Sequence, residues 1–174
     1  NIYLDGNEYG QVIIDDFDDR YDPRLKEARV ENLLLPDPPA KVIRGDICDR
    51  NLIEKTFTEE KFDTVIHLAA WAAVTQSIKL PHIFTAVNVD GTVNLLDAAC
   101  HNGIKSFVFA SSSSVYGGQT HVPFKEDGDI THPISPYAAT KAAGEIMCAT
   151  WHHLYQMPIA ALRLTACATA RSSA

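Results

Sequence analysis

Tyr137 and Lys141 stand four residues apart in the string Ser135-Pro136-Tyr137-Ala138-Ala139-Thr140-Lys141. Ser135 suits an N-cap, and Pro136 suits the first helical position, where its missing N–H removes no intrahelical bond. On a helix that starts there, the phenol and the ammonium share a face, with Cβ atoms roughly 5–6 Å apart. Upstream, Ser111-Ser112-Ser113-Ser114-Val115-Tyr116-Gly117 closes an apolar run with a cluster of hydroxyls. A phenol, a nearby cation and a hydroxyl donor together make a device for moving a proton on and off an alcohol. An unperturbed tyrosine has a pKa near 10, so work near neutrality asks for a fall of ~3 units, about 4 kcal/mol.

Such a device needs elements to hold it. Short apolar runs that do not alternate lie at Gln11 to Asp15, Lys41 to Gly45, Val65 to Leu68, Lys105 to Ala110 and Ile159 to Leu164. Helical patterns fall between them at Asn51 to Thr58, Val87 to His101 and Pro136 to Tyr155, the last stopping before Pro158. Strands that are apolar throughout and alternate with helices predict an α/β fold with a parallel sheet covered on both faces. Nothing repeats at a fixed period, and no linker divides the chain.

At 174 residues the chain suffices for one domain with a sizeable core. Its net charge of -7 argues against nucleic acid or an anionic membrane surface as partner. It does not forbid a nucleotide, which is held locally by backbone N–H groups and a few basic side chains. Cys48, Cys100, Cys148 and Cys167 contain no C-x-x-C pair, so free thiols in a reducing, cytoplasmic compartment are expected rather than a disulfide or zinc framework. Adjacent His152 and His153 cannot face one metal from a regular helix, and no metal is expected. The longest apolar stretch, Val65 to Val74, is too short to span a bilayer.

Further candidates sit at strand ends. In a nucleotide-binding α/β unit, an acid at the end of the second strand accepts both ribose hydroxyls and repels a 2′-phosphate, which fits Asp15. A solvated loop is the plainer reading, because four of the five residues from Asp15 to Asp19 are acids. Asp46-Ile47 follows the next strand. Leu68-Ala69-Ala70 ends the one after with little bulk, suiting either a flat ligand against the backbone or tight helix packing. Asn88 is a cap, a structural hydrogen bonder or a site residue.

With these strings in view, the chain resembles the extended short-chain dehydrogenase/reductase family, in particular nucleotide-sugar epimerases, from about Asp15 to Leu164. The nearest likeness is to UDP-glucuronate 4-epimerases. It rests on Asp15-Asp16-Phe17 leading to Tyr21-Asp22-Pro23-Arg24-Leu25-Lys26, and on His132-Pro133-Ile134 running into the Ser135–Lys141 string. The resemblance implies a Rossmann-like doubly wound sheet, NAD as cofactor and a UDP-sugar as substrate. It makes Tyr137 the proton acceptor, Lys141 its partner on the nicotinamide ribose and Ser112 the catalytic hydroxyl. Asp15, Asp16, Phe17, Asp46, Ile47, Leu68, Ala69, Ala70, Ala110 and Ser111, with Tyr137 and Lys141, would line the cofactor. Ser77, Asn88, Ser113 and Ser114 would meet the substrate. The implied reaction takes UDP-glucuronate to UDP-galacturonate through a 4-keto sugar, and a homodimer stays open for the full-length protein.

The chain departs from that pattern in four places. The glycine-rich loop is absent, and residues 1–10 read as the end of the first helix and its turn. The first strand would therefore be missing, leaving a central lane of roughly 9–10 Å and exposing the edges of Gln11–Asp15 and Val65–Leu68. Thr75 and Ala73 stand where these epimerases usually carry Arg and Gly. Residues 165–174 do not resemble the usual continuation, so residues 1–164 are expected as a partial NAD-binding domain followed by an atypical tail, inactive alone. Two alternatives stand beside the epimerase: a decarboxylase or dehydratase of the same family, and a non-catalytic fragment or binding module. The first is disfavoured because Ser113 and Ser114 occupy places where those enzymes carry acids.

Overall fold

Six strands form one sheet in the computed structural model, which describes residues 2–6, 10–20, 22–33, 40–120 and 122–165. They are β1 (Ile2–Gly6), β2 (Gly10–Asp15), β3 (Lys41–Arg44), β4 (Phe62–His67), β5 (Ser106–Ser112) and β6 (Ile159–Leu164). The spatial order is β3-β2-β1-β4-β5-β6. The pairs β2–β3, β4–β5 and β5–β6 are parallel, whereas β1 runs antiparallel to both β2 and β4. All five expected strands therefore point the same way, with β1 threaded between them in the opposite sense.

β1 corrects the expectation for the chain's start. Residues 2–6 are not a helix end, and the central lane is not open. Ile2 pairs with Ile14 on one side and His67 on the other, so the ladder groups of both neighbours find partners. Gly10 begins β2 at φ 70°, a conformation that glycine adopts without strain. The apolar flanks expected to be exposed are covered: Val12, Ile13, Ile14 and Val65 are all buried. Leu68, just past the end of β4, is the exposed exception.

The described residues also form six α-helices: α1 (Pro23–Leu33), α2 (Arg50–Glu60), α3 (Val74–Lys79), α4 (Pro81–Thr85), α5 (Gly91–His101) and α6 (Pro136–Tyr155). The sequence patterns anticipate α2, α5 and α6. They miss α1, α3 and α4. A π-helical turn, Ala86–Asp90, joins α4 to α5, so one helix runs on from Pro81 to His101. Asp49 caps α2 by accepting the Leu52 N–H, and Lys61 ends it in the left-handed region at φ 51°. Residues 166–174, and with them Cys167, lie outside the described residues; Cys48, Cys100 and Cys148 are free. No described helix is long and apolar enough to cross a membrane.

The core lies between the sheet and its helices, centred on Ile14, Phe57, Val65, Leu95, Leu96, Phe107 and Phe109. α6 seats on β5 at Gly144, where an added Cβ would lie 2.4 Å from Phe109 Cζ. Gly144→Ala gains about 1 kcal/mol of helix propensity but overpacks this contact by about 1–3 kcal/mol. The net cost of about 0–2 kcal/mol lowers Tm by up to roughly 8 °C at about 2–4 °C per kcal/mol, read by calorimetry. An increase in Tm would show that α6 is not seated this closely.

Candidate active site

Ser135 starts α6 as expected: its Oγ accepts the Ala138 N–H at 3.1 Å, with Pro136 in the first turn. From that start, Lys141 turns inward and is 4% exposed. Its Nζ donates to the Ala110 carbonyl of β5 at 2.8 Å and lies 5.0 Å from the centre of the Phe109 ring. Burial lowers the Lys141 pKa from its usual 10.5 to about 8. Tyr137, one turn earlier, is half-buried with its ring edge-on to Phe84 at 6.3 Å. Its phenol makes no hydrogen bond among the described residues.

β5 carries the serine cluster two residues further than the apolar run suggests, through Ser111 and Ser112. Ser112 then caps a 3-10 turn, Ser113–Tyr116: its Oγ accepts the Ser114 N–H at 3.2 Å and donates to Ser114 Oγ at 3.1 Å. Gly117 closes the turn at φ 62°, where a Cβ would lie 2.3 Å from the His132 carbonyl oxygen. The Val115-Tyr116-Gly117 end is thus pressed against the segment that leads into Ser135.

At the C-terminal ends of β2, β3 and β4, a cleft of about 210 Å³ opens between strand ends and loops. Asp15, Asp16, Phe17, Asp46, Ile47, Leu68, Ala69 and Ala70 all line it. Every cofactor candidate named from the first three expected strands therefore comes to one place. Asp15 is more than a solvated loop acid. Its Oδ1 accepts the Phe17 N–H at 2.7 Å and the Lys26 ammonium at 3.1 Å, leaving Oδ2 for a further donor. Phe17 bends the chain at φ 53°, and the Arg44 guanidinium covers its ring at 3.9 Å. Arg20 covers Trp71 at 3.6 Å. Trp71, Lys26 and Arg29 also line the cleft. Sequence reasoning missed them, although Lys26 belongs to one of the two strings that carry the resemblance.

Three candidates are engaged by the protein itself. Asn88 is 1% exposed. Its Oδ1 accepts the Trp71 N–H at 2.7 Å, and its Nδ2 donates to the Trp71 carbonyl and to Thr140 Oγ1, both at 3.0 Å. That uses both amide protons, so Asn88 clamps the loop after β4 to α6 and takes the structural-bonder role among those weighed above. Ser77 is fully buried, and its hydroxyl donates to the Val74 carbonyl at 2.6 Å. Ser111 is buried with its hydroxyl donating to Glu145. Ser113 is half-buried, and Thr75 is exposed on α3.

His67, at the end of β4, was not singled out by the sequence and is 1% exposed. The Thr92 hydroxyl donates to the Asn88 carbonyl at 2.7 Å, so His67 Nε2 must donate to Thr92 Oγ1 across 2.9 Å. Burial, with the Lys141 charge as second cause, keeps the imidazole neutral by pushing its pKa well below the ordinary range.

Residues 4–173 match the family described as GDP-mannose 4,6 dehydratase. The chain belongs to that family. UDP-glucuronate 4-epimerase 6 of Arabidopsis thaliana is 43% identical over 155 residues, which are 88% of this chain and 33% of the plant protein. A UDP-glucuronate 4-epimerase of Thermodesulfobacterium geofontis is 39% identical over 150 residues, 86% of this chain and 46% of that protein. Among solved structures, UDP-glucuronic acid 4-epimerase from Bacillus cereus, in complex with UDP-glucuronic acid and NAD, aligns with a TM-score of 0.78. The two are 33% identical over 87% of this chain and 47% of that one. The dTDP-glucose 4,6-dehydratase of Streptomyces venezuelae, with NAD bound, aligns with a TM-score of 0.77 at 30% identity, over 87% and 45%. The chain thus spans less than half the length of these relatives. The fold of a family member is the expected doubly wound α/β sheet, with β1 as its local exception.

Proposed function

We propose that the protein to which this chain belongs is an NAD-dependent nucleotide-sugar 4-epimerase that interconverts UDP-glucuronate and UDP-galacturonate. One observation carries the reading. Tyr137 and Lys141 project from consecutive turns of α6, and Lys141 is tied to β5 two residues before Ser112. The cleft lined by Asp15 and Asp46 lies on the same sheet, at the C-terminal ends of its strands, where open α/β sheets bind ligands.

The residues present fit the adenosine end of NAD. Asp15 keeps Oδ2 for ribose hydroxyls, and Ala69 and Ala70 leave the strand end open to a flat ring system. At the other end, Ala110, Ser111, Tyr137 and Lys141 would face the nicotinamide riboside. When bound there, NAD would supply the acceptor and donor of a hydride at the sugar carbon. Tyr137 removes the proton from the carbon-4 hydroxyl, with Lys141 one turn further along the same helix. Ser112 and Ser114 hold the reacting oxygen. Epimerisation would require the 4-keto sugar to turn over in the site, so that its other face is presented for reduction. Asp15 disfavours the 2′-phosphate of NADP.

The test is to assay the full-length protein on UDP-glucuronate and UDP-glucose side by side. A preference for UDP-glucuronate is expected, and a tenfold or greater preference for UDP-glucose rejects the acid sugar. Dehydratase chemistry is the second reading, favoured by the likeness to the Streptomyces enzyme. It predicts release of a dehydrated 4-keto product, detectable by its absorbance in alkali. The 174 residues alone contain no glycine-rich turn for a pyrophosphate, and calorimetry on them should show no micromolar NAD binding.

A further inference from the structure

Glu145 lies one helical turn beyond Lys141 and two beyond Tyr137, so the three form a stripe down α6. Lys141 grips the Ala110 carbonyl, and Glu145 accepts the Ser111 hydroxyl. Successive residues of β5 are thus held by successive turns of α6, and Ser112 is the next residue along. On the other side stands Arg163 of β6. Its Nε and Nη2 donate to Glu145 at 3.0 and 2.9 Å, and its Nη1 donates to the Glu126 carbonyl at 3.0 Å. The guanidinium also lies 4.9 Å from the Tyr116 ring, which stacks on Phe124 at 4.5 Å.

The serine segment runs from Ser111 to Tyr116, and both of its ends meet the same ion pair. Ser111 touches Glu145 at the start, and Tyr116 touches Arg163 at the finish. Building on the epimerase reading, we propose that the Glu145–Arg163 pair is a positioning device that sets Ser112 against Tyr137. Neither residue touches substrate. The pair side chains are only 10% and 17% exposed, so desolvation offsets much of their attraction, and stability alone does not call for charge here. A bidentate guanidinium–carboxylate fork supplies direction instead, fixing three elements at one angle.

Stability and positioning separate in the double variant Glu145→Leu with Arg163→Met. Well-packed apolar replacement of a buried ion pair is often neutral for stability, so a Tm within roughly 5 °C of the unmodified full-length protein is expected. Turnover should stay at least ~10-fold low, with KM for the UDP-sugar changed less than about threefold, because only the reacting geometry is lost. Recovery of kcat together with Tm overturns the proposal. Should the double variant fail to fold, Arg163→Lys keeps the charge and loses the fork; unchanged kcat in that variant is equally fatal. Amide NMR shifts of Ser112, Ser113 and Ser114 provide a readout independent of activity. They should move in the altered protein, and unmoved shifts reject positioning even if the unmodified protein proves not to be an epimerase. Absence of epimerisation in the unmodified protein rejects only the reading on which the proposal is built.

Discussion

Tyr137→Phe should lower the turnover of UDP-glucuronate in the full-length protein by at least ~100-fold, the range of lost acid–base catalysis. The substitution removes one oxygen and little else. The ring keeps its edge-on contact with Phe84, and the phenol has no hydrogen bond among the described residues to forfeit. Tm should therefore stay within about 2 °C, since no partner is left buried and unpaired. Chromatographic separation of UDP-glucuronate from UDP-galacturonate gives the rate. An unchanged rate would remove Tyr137 from the mechanism. Ser112→Ala should also slow the chemical step, because its hydroxyl, shared with Ser114, sits at the end of β5.

Lys141→Met should stabilise the fold near neutrality while abolishing function. A fall of the Lys141 pKa from 10.5 to about 8 corresponds to roughly 3 kcal/mol against the charged form in the native state. Below about pH 8 both native and unfolded chains carry the charge, and the whole cost is present. Between about pH 8 and 10.5 the native chain has shed the proton and the unfolded chain has not, so native stability rises with pH. Above that window the cost is gone. Methionine escapes the cost but loses the bond to the Ala110 carbonyl, about 1 kcal/mol. The variant should thus be about 2 kcal/mol more stable at pH 7, and roughly 1 kcal/mol less stable above pH 11. Urea titrations at several pH values check the crossing. A variant less stable at every pH would show that the ammonium is well solvated in the native state. Loss of activity beside a gain in stability is what a group retained for chemistry should display.

The parts of the molecule written locally were readable in the sequence. Ser135 and Pro136 announce α6 because a cap and its first turn lie in adjacent residues, and the helix ends at Tyr155 as Pro158 requires. Asp15, Asp46 and Ala69-Ala70 were legible as one site because the ends of parallel strands converge by topology. What stayed hidden depends on distant partners. Asn88 was ambiguous because its clamp joins Trp71 to Thr140, which lies 52 positions away. Ser77 has the polarity of a ligand group, and only packing shows it buried on its own helix. Ile2–Gly6 was misread because its pairing with both β2 and β4 is settled by two unfilled ladders, not by any pattern within five residues. Glu145 was discoverable at the i+4 spacing from Lys141, but its partner Arg163 sits on another strand.

The π-helical turn at Ala86–Asp90 also governs how this stretch tolerates changes of length. A wide turn holds one residue more than a regular helix would, and here it contains Asn88, which bonds Trp71 and Thr140. Dropping a residue from the turn would regularise the helix from Pro81 to His101, yet rotate everything before it by about 100° relative to α5. Phe84 would leave its contacts with Trp71 and Tyr137. Substitutions in this helix are therefore absorbed one side chain at a time, whereas a single-codon deletion redirects a whole face of it.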